Sequence, residues 1–317
     1  KLTGARLGMA RIAFVGKDIE GANKLANDAT AASPNDASVW MFKAGLVRAQ
    51  GKQGEAEGAY DQVLKVKPDH RRAWLEKAYL QISERKYVEA QESINASKKL
   101  DANGLMLHYT QALLDYSQGK HALAKESLQK ILRVAPDHLP SVLLAGAVEF
   151  ALDSMPQAEQ HLRKYVDNVP GDKFARKMLV ATLIKSGQAT DAQAILAPAL
   201  TDDVADPQIL GLAGELAMNA GDFAKATAYL ERAAKIAPDT AALRTSLAVS
   251  KMARDDNAGA IIALHDAIRL DDKSTRAGMM LVMAHTREKQ HDKALAAVNE
   301  LAQRNPKDAV VQNLKGS

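Results

Sequence analysis

Proline recurs along this chain at an interval of 34 residues. Stepping by 34 from Pro34 meets Pro68, Ala102, Pro136, Pro170, Val204, Pro238, Asp272 and Pro306, so six of these nine positions are proline although the chain has only 10. No insertion or deletion is needed over the whole length. With Thr3 as position 1 of the first repeat, position 32 is this proline. Position 20 is alanine in all nine copies, at Ala22, Ala56, Ala90, Ala124, Ala158, Ala192, Ala226, Ala260 and Ala294. Position 8 is always small, from Ala10 and Ala44 to Gly146, Gly214 and Val282, and position 24 is mostly large and apolar, as at Tyr60, Ile94, Leu128 and Leu264. A fixed period of this size means a stack of supersecondary units, none of which buries its apolar face alone.

The unit can be read from the spacing. Two helices that cross closely need a small residue at the contact, and positions 8 and 20 supply one from each helix. Position 24 lies one turn after position 20 on the same helical face and fills the space between neighbours. Proline at position 32 ends the second helix and stiffens the turn into the next unit. Glycine at position 15, as Gly51, Gly119, Gly187 and Gly221, suits a left-handed residue closing the first helix. Aromatic residues are only 4% of the chain, and β-branched runs are scarce, which argues against sheet. The expected fold is all-α, with about nine helix-turn-helix repeats over 3–36, 37–70, 71–104, 105–138, 139–172, 173–206, 207–240, 241–274 and 275–308. Residues 309–317 read as the start of a truncated tenth repeat, and the single array 1–317 as a segment of a longer one.

The pattern resembles the tetratricopeptide repeat family over nearly the whole chain. The fullest copy is 37–70, with Trp40, Ala44, Gly51, Ala56, Tyr60, Val63 and Pro68; the next keeps Trp74, Ala78 and Ala90, and later copies carry Val142, Arg176, Leu210, Arg244 and Gly278 in place of the tryptophan. The pentatricopeptide RNA-binding array has a period of 35 and would drift out of phase. The resemblance implies a right-handed superhelical α-solenoid whose first helices line a concave groove through positions 2, 5, 9, 12 and 13. In that register the groove is apolar: Leu75, Tyr79 and Ile82; Met106, Tyr109, Leu113 and Tyr116; Leu143 and Phe150; Phe174 and Ile184; then Met218, Met252, Met279 and Met283. Packing between adjacent first helices is the competing reading for each. Rigid aromatics and adaptable methionines would suit an apolar helix or extended peptide laid in the groove. The family's carboxylate-gripping asparagine would stand at position 9. That position here reads Arg11, Gly45, Tyr79, Leu113, Ala147, Ala181, Glu215, Val249 and Met283, without asparagine, although Arg11 and Arg48 leave a weak case for anionic ligands.

Motifs for chemistry are missing. The chain has no cysteine, so thiolate chemistry, disulfides and Cys-based zinc sites are excluded. Its eight histidines make no His-Glu-x-x-His motif, and they read as scattered surface residues. Gly51-Lys52-Gln53-Gly54 lacks the strand and the Gly-Lys-Ser/Thr ending of a phosphate loop and reads as an inter-helix turn. Asp202-Asp203 and Asp255-Asp256 fall at repeat junctions, where capping explains them. The net charge of +4 comes from interspersed signs. The densest basic group, Lys65, Lys67, Arg71 and Arg72 around Asp69, reads as a solvated turn rather than a nucleic-acid stripe. No apolar run reaches the length of a membrane span and no signal peptide is visible. The expectation is therefore a non-enzymatic binder of proteins or peptides, without cofactor, metal or nucleic acid, and able to stack end to end through uncapped termini. Alanine- and leucine-rich copies such as 224–238 further resemble the large bacterial tetratricopeptide lipoproteins of exopolysaccharide and PEP-CTERM sorting systems, implying a periplasmic scaffold tethered through a region outside this segment. A cytoplasmic adaptor or chaperone-like binder of apolar peptides, and the repeat segment of a larger glycosyltransferase, are the alternatives.

Overall fold

The computed structural model describes residues 2–201 and 204–316. The carboxylates Asp202 and Asp203 lie outside the described residues. The chain divides into two compact units, residues 1–154 and 155–317. The first holds α1 (Leu2–Val15), α2 (Ile19–Ala32), α3 (Ala37–Ala49), α4 (Gln53–Val66), α5 (Arg71–Ser83), α6 (Tyr87–Leu100), α7 (Leu105–Ser117), α8 (His121–Val134) and α9 (Leu139–Ala151). The second holds α10 (Met155–Asn168), α11 (Lys173–Lys185), α12 (Ala189–Leu196), α13 (Pro207–Asn219), α14 (Phe223–Ile236), α15 (Ala241–Met252), α16 (Asn257–Leu270), α17 (Thr275–Arg287), α18 (His291–Arg304) and α19 (Ala309–Gly316). No strand occurs among the described residues.

Within residues 1–154 each helix from α1 to α9 packs on the next, and within residues 155–317 each helix from α10 to α19 packs on the next. Some first helices also touch the following first helix, as α5 touches α7 and α15 touches α17. The small positions make this possible. Ala44, Ala56, Ala78, Ala90, Ala112 and Ala124 are fully buried at the crossings, and Tyr60, Ile94 and Leu128 fill the gaps beside them. Where position 8 is Gly214 the backbones come closer still: a Cβ there would stand 2.6 Å from Leu230 Cγ. Buried polar groups join the repeats as well. Ser93 Oγ donates to Gln81 Oε1 at 2.8 Å, and Gln81 Nε2 donates to Glu57 Oε1 at 2.8 Å.

Position 4 explains how the motif tryptophan can be lost. Trp40 Nε1 donates to the Pro34 carbonyl at 2.8 Å, and Trp74 Nε1 to the Pro68 carbonyl at 2.9 Å. Arg176 and Arg244 occupy the same position and donate to the carbonyls of Pro170 and Pro238, at 2.7 and 3.4 Å. A guanidinium can replace an indole here because both groups supply an N–H donor that reaches the carbonyl six residues back.

Position 15 is left-handed in every repeat. The glycines have φ of 72 to 76°, and Lys17, Arg85, Asp153, Asp255 and Lys289 adopt φ of 56 to 64° at the same place. A side chain there costs about 1–2 kcal/mol, partly offset by the extra unfolded-state freedom of glycine. Lys289→Gly is therefore expected to raise the thermal midpoint, by up to about 1 kcal/mol of stability. Gly119→Ala should lower it by a similar amount. Circular dichroism melts of the two variants check both signs.

One repeat departs from the pattern. Pro198 stands inside what would be the second helix of repeat 6. Lacking an N–H and clashing with the preceding turn, it ends α12 at Leu196 in a short 3-10 turn over Ala197–Ala199. The Asp255-Asp256 pair behaves as a junction: Asp256 caps α16 by accepting from Gly259 N at 2.9 Å, while Asp255 holds the left-handed turn. Gly51-Lys52 likewise lies in the turn between α3 and α4. One sequence expectation is corrected. His285 is buried rather than on the surface, with Nδ1 2.9 Å from Gln290 Oε1 and its ring edge-on to His265. It occupies position 11, the side of α17 that packs towards α16, so a histidine there is taken inside.

Candidate partner-binding face

A recess on the first-helix layer of residues 1–154 lies between α5 and α7. It is a cleft of about 680 Å³. Leu75 and Tyr79 of α5 and Leu105, Met106 and Tyr109 of α7 supply its apolar walls. Tyr79 is 43% exposed and Met106 51%, which is unusual for side chains of this size. Leu75 forms the floor, buried in the cluster that joins Ala78, Ile94 and Leu107. The helical spacing explains the grouping: Leu75 and Tyr79 are one turn apart on α5, and Met106 and Tyr109 are three apart on α7.

Charged residues rim the apolar surface. Arg48 Nη1 lies 2.7 Å from Glu76 Oε2, and Arg72 Nε lies 3.3 Å from Glu76 Oε1, so one carboxylate sits between two guanidiniums. Arg48 also stands over the Tyr79 ring, 5.9 Å from its centroid. Arg71 pairs with Asp101 at the far rim. Burial, with the Glu76 carboxylate adding to it, pushes the Tyr60 phenol up to about 12. Arg71 and Arg72, expected in a solvated turn, are exposed, but they stand in the first turn of α5 on the wall of this cleft. The available signal was charge spacing: Arg48–Glu76 and Arg71–Asp101 pair opposite charges 28 and 30 residues apart, close to one repeat period.

The other candidate groove residues are dispersed. Tyr109, Leu113 and Tyr116 are half-buried against the cluster around Leu128 and Leu144, and Tyr109 meets His138 edge-on at 5.9 Å. Phe150 and Leu143 are half-buried. Ile82 is buried with Leu75 in the α5–α6–α7 core, because position 12 turns towards the next first helix. In the second unit, Phe174 and Met283 are exposed, Met218 and Met279 are half-buried, and Ile184 and Met252 are buried. Met252 belongs to the core that holds Ala277 and Leu281.

Asp115 lies buried on α7, behind this face. Among the described residues its carboxylate accepts from Gln111 Nε2 alone, at 3.2 Å to each oxygen. Burial raises its pKa above the ordinary value, against the smaller lowering effects of Gln111 and Lys120. A carboxyl whose folded pKa is raised holds its proton more readily in the folded state, so its contribution to stability falls as pH rises through that pKa. Asp115→Asn is accordingly expected to raise stability at pH 7 by about 1 kcal/mol, the scale of one poorly satisfied buried polar group. The gain should vanish in acid, where the wild-type carboxyl is already neutral. Urea titrations at a series of pH values test this; an equal gain at all pH values would rule it out. Glu159 has the opposite sign: Arg163, and then Gln188, hold it below the usual range, so the stability it supplies is lost on acidification.

Stacked helical hairpins with an apolar cleft and a paired charged rim define a helical-repeat binding scaffold. Models of the tetratricopeptide repeat match residues 46–104, 109–173, 183–249 and 251–317. The chain belongs to the tetratricopeptide repeat family. No curated protein sequence matches the chain. Among solved structures, it is similar to a tetratricopeptide repeat protein from Parabacteroides merdae ATCC 43184, with a TM-score of 0.58 and 15% identity over 78% of this chain and 98% of that one. The Cut9–Hcn1 hetero-tetramer structure of the APC/C matches with a TM-score of 0.65 and 13% identity, over 93% of this chain and 58% of that one. PilW, a widely conserved type IV pilus biogenesis factor, matches with a TM-score of 0.50 and 16% identity, over 78% and 99%. At these identities the likeness speaks for the fold.

Proposed function

We propose that the chain is a protein-interaction scaffold that receives an apolar segment of its partner in the cleft between α5 and α7. Tetratricopeptide arrays generally serve as non-catalytic scaffolds that bind proteins or peptides, and that general role applies here. What carries the specific reading is the exposure of Tyr79 and Met106 in one cleft whose charged neighbours are already paired. An entering apolar side chain desolvates little charge there and gains contact with two large, accessible groups. The remaining candidates, Tyr109, Leu113, Tyr116 and Phe150 in this unit and Phe174, Met218, Met279 and Met283 in the other, would extend the contact along the first-helix faces.

The finer proposal is a bacterial envelope assembly of the exopolysaccharide or PEP-CTERM sorting kind, with the chain held in the periplasm by a region outside this segment. Its support is the alanine- and leucine-rich composition of repeats such as 224–238. No described helix is long and apolar enough to cross a membrane.

The test is a peptide-display selection on the immobilised chain, followed by affinity measurement against the Tyr79→Asp/Met106→Asp double variant. Both side chains are exposed, so the fold should survive, which a far-ultraviolet spectrum checks. Selected peptides are expected to be rich in aromatic and aliphatic residues and to bind the variant at least 30-fold more weakly, about 2 kcal/mol. Equal affinity for both forms would remove the cleft from the proposal. Recovery of polysaccharide-assembly or sorting proteins from an envelope fraction by the parent chain, and not by the variant, is the outcome expected for the finer reading.

A further inference from the structure

The turn that joins α6 to α7 departs from its counterparts in one hydrogen bond. At position 34, the last residue of a repeat, the backbone amide usually donates to the carbonyl three residues back, at position 31. Asp36, His70, His138 and Asp172 do so at 3.1 Å, and Ser274 and Asp308 at 3.2 Å. In repeat 3 the residue is Gly104, and its amide makes neither this bond nor any other among the described residues. Position 31 shows why. Asp101 has φ −158° and ψ 107°, whereas Ser33, Lys67, Ala135, Asp271 and Asn305 have φ of −125 to −142° and ψ of 61 to 92°. The more extended Asp101 turns its carbonyl away from the Gly104 amide.

The residue ahead of this free amide is Asn103, which is exposed in the turn. Asn103–Gly104 is the only asparagine–glycine pair in the chain. The side-chain carbonyl carbon of an asparagine is an electrophile, and attack on it by the next backbone nitrogen closes a five-membered ring. A hydrogen-bonded amide must give up its bond to make that attack. A Cβ on the attacking residue also crowds the approach, and glycine has none. Asn103 therefore faces neither obstacle. Asn35 supplies the contrast within the same protein. It too stands at position 33 and is exposed in its turn, but the amide that follows belongs to Asp36, carries a side chain and is held by the Ser33 carbonyl.

We propose that Asn103 is a site of spontaneous deamidation in the folded protein, with the Gly104 amide as the internal nucleophile. The Gly104 nitrogen bonds to Asn103 Cγ, the bond from Cγ to Nδ2 breaks, and the Gly104 proton leaves with that nitrogen as ammonia. One water then opens the resulting succinimide at either carbonyl, leaving an aspartyl or an isoaspartyl residue at position 103. No oxidant or reductant takes part. Either product puts one new negative charge on the turn whose Asp101 and Gly104 line the α5–α7 cleft, beside the Arg71–Asp101 pair. That charge stands at the N-terminus of α7, where Gly104 offers no side-chain cap and an anion is favoured. The isoaspartyl product also lengthens the main chain by one methylene at the entry to the helix that carries Met106 and Tyr109. The reaction is a property of this turn and holds whatever the cleft binds.

The test is incubation of the 317-residue chain in mildly alkaline buffer at physiological temperature, folded and in urea, followed by peptide mapping that separates aspartyl from isoaspartyl products. In the folded chain Asn103 is expected to convert at least about 10-fold faster than Asn35, and within about 3-fold of its own rate in urea. Both products should form, since the succinimide opens on either side. Gly104→Ser should slow the conversion by at least about 10-fold. Its fold should survive, because Ser274 at the same position caps α17 with its hydroxyl; a far-ultraviolet spectrum checks this, and the comparison with Asn35 needs no variant. Conversion of Asn103 no faster than Asn35 overturns the proposal. So does strong protection of the folded chain relative to urea, which would mean that the turn holds the amide back. Conversion without any isoaspartyl product would assign the change to direct hydrolysis and overturn the role of Gly104.

Discussion

Replacing Leu128 with alanine is expected to lower the free energy of unfolding by about 3 kcal/mol, within the range for large-to-small changes in a close-packed core. Leu128 is 1% exposed and touches the packing of three helices at once. It stands at position 24 of α8, facing Ala112 on α7 and Leu144, Ala145 and Val148 on α9. Truncation removes its own contacts and also loosens the join between two successive repeats. Stability in a stacked array is roughly a sum of repeat terms and nearest-neighbour terms, so a lost interface in mid-array should broaden the unfolding transition as well as shift it. Urea denaturation followed at 222 nm reads both effects. Leu123, in the same helix but exposed, provides the internal control, and Leu123→Ala should stay within about 0.5 kcal/mol. A loss as large at Leu123 as at Leu128 would mean that the cost comes from helix propensity and not from packing.

The second large effect is expected at Lys125. Glu149 on α9 is buried and pairs with Lys125 on α8, with Nζ 3.0 Å from Oε1 and 3.1 Å from Oε2. The pair bridges two repeats. Removing the cation leaves a carboxylate in a site that was built around it, and that costs far more than the pair itself contributes. Lys125→Met keeps the aliphatic stem and is expected to lose about 2–3 kcal/mol, less than for a fully enclosed pair because the lysine is about one-third exposed. The double variant Lys125→Met/Glu149→Gln should recover most of that loss. Thermal melts of the four corners of the cycle give the coupling directly. If the double variant is as unstable as Lys125→Met alone, the loss lies in packing of the lysine stem.

Much of this architecture was legible beforehand, for a physical reason. Alanine at position 20 and proline at position 32 are demands made by backbone approach and helix termination, and such demands recur in every copy. They could be counted without knowing where any side chain points. Position 4 was harder to read. Arg176 and Arg244 look like losses of a motif tryptophan, and only the geometry reveals that they make its hydrogen bond. Position 15 is similar: four glycines announced the turn, whereas Arg85, Asp153 and Lys289 gave no sign of holding the same left-handed conformation.

The candidate binding face divides in the same way. The repeat register assigned Leu75, Tyr79, Met106 and Tyr109 to first-helix positions, and these four line one cleft. It could not separate Tyr79 from Ile82. Both are apolar and three residues apart, yet one is exposed and the other buried, because the exposure of a first-helix position depends on how closely the next first helix approaches. Arg72 belongs to that cleft because α5 begins at Arg71, which puts it in the first turn of the helix that forms the wall, with its side chain largely exposed. The periodic residues by themselves determined the fold class and the family, since each follows from contacts within one repeat or between neighbours at a constant offset. Only the tertiary structure decided which apolar residues remain exposed and which charges are already paired, because these depend on distances between helices that no single repeat encodes.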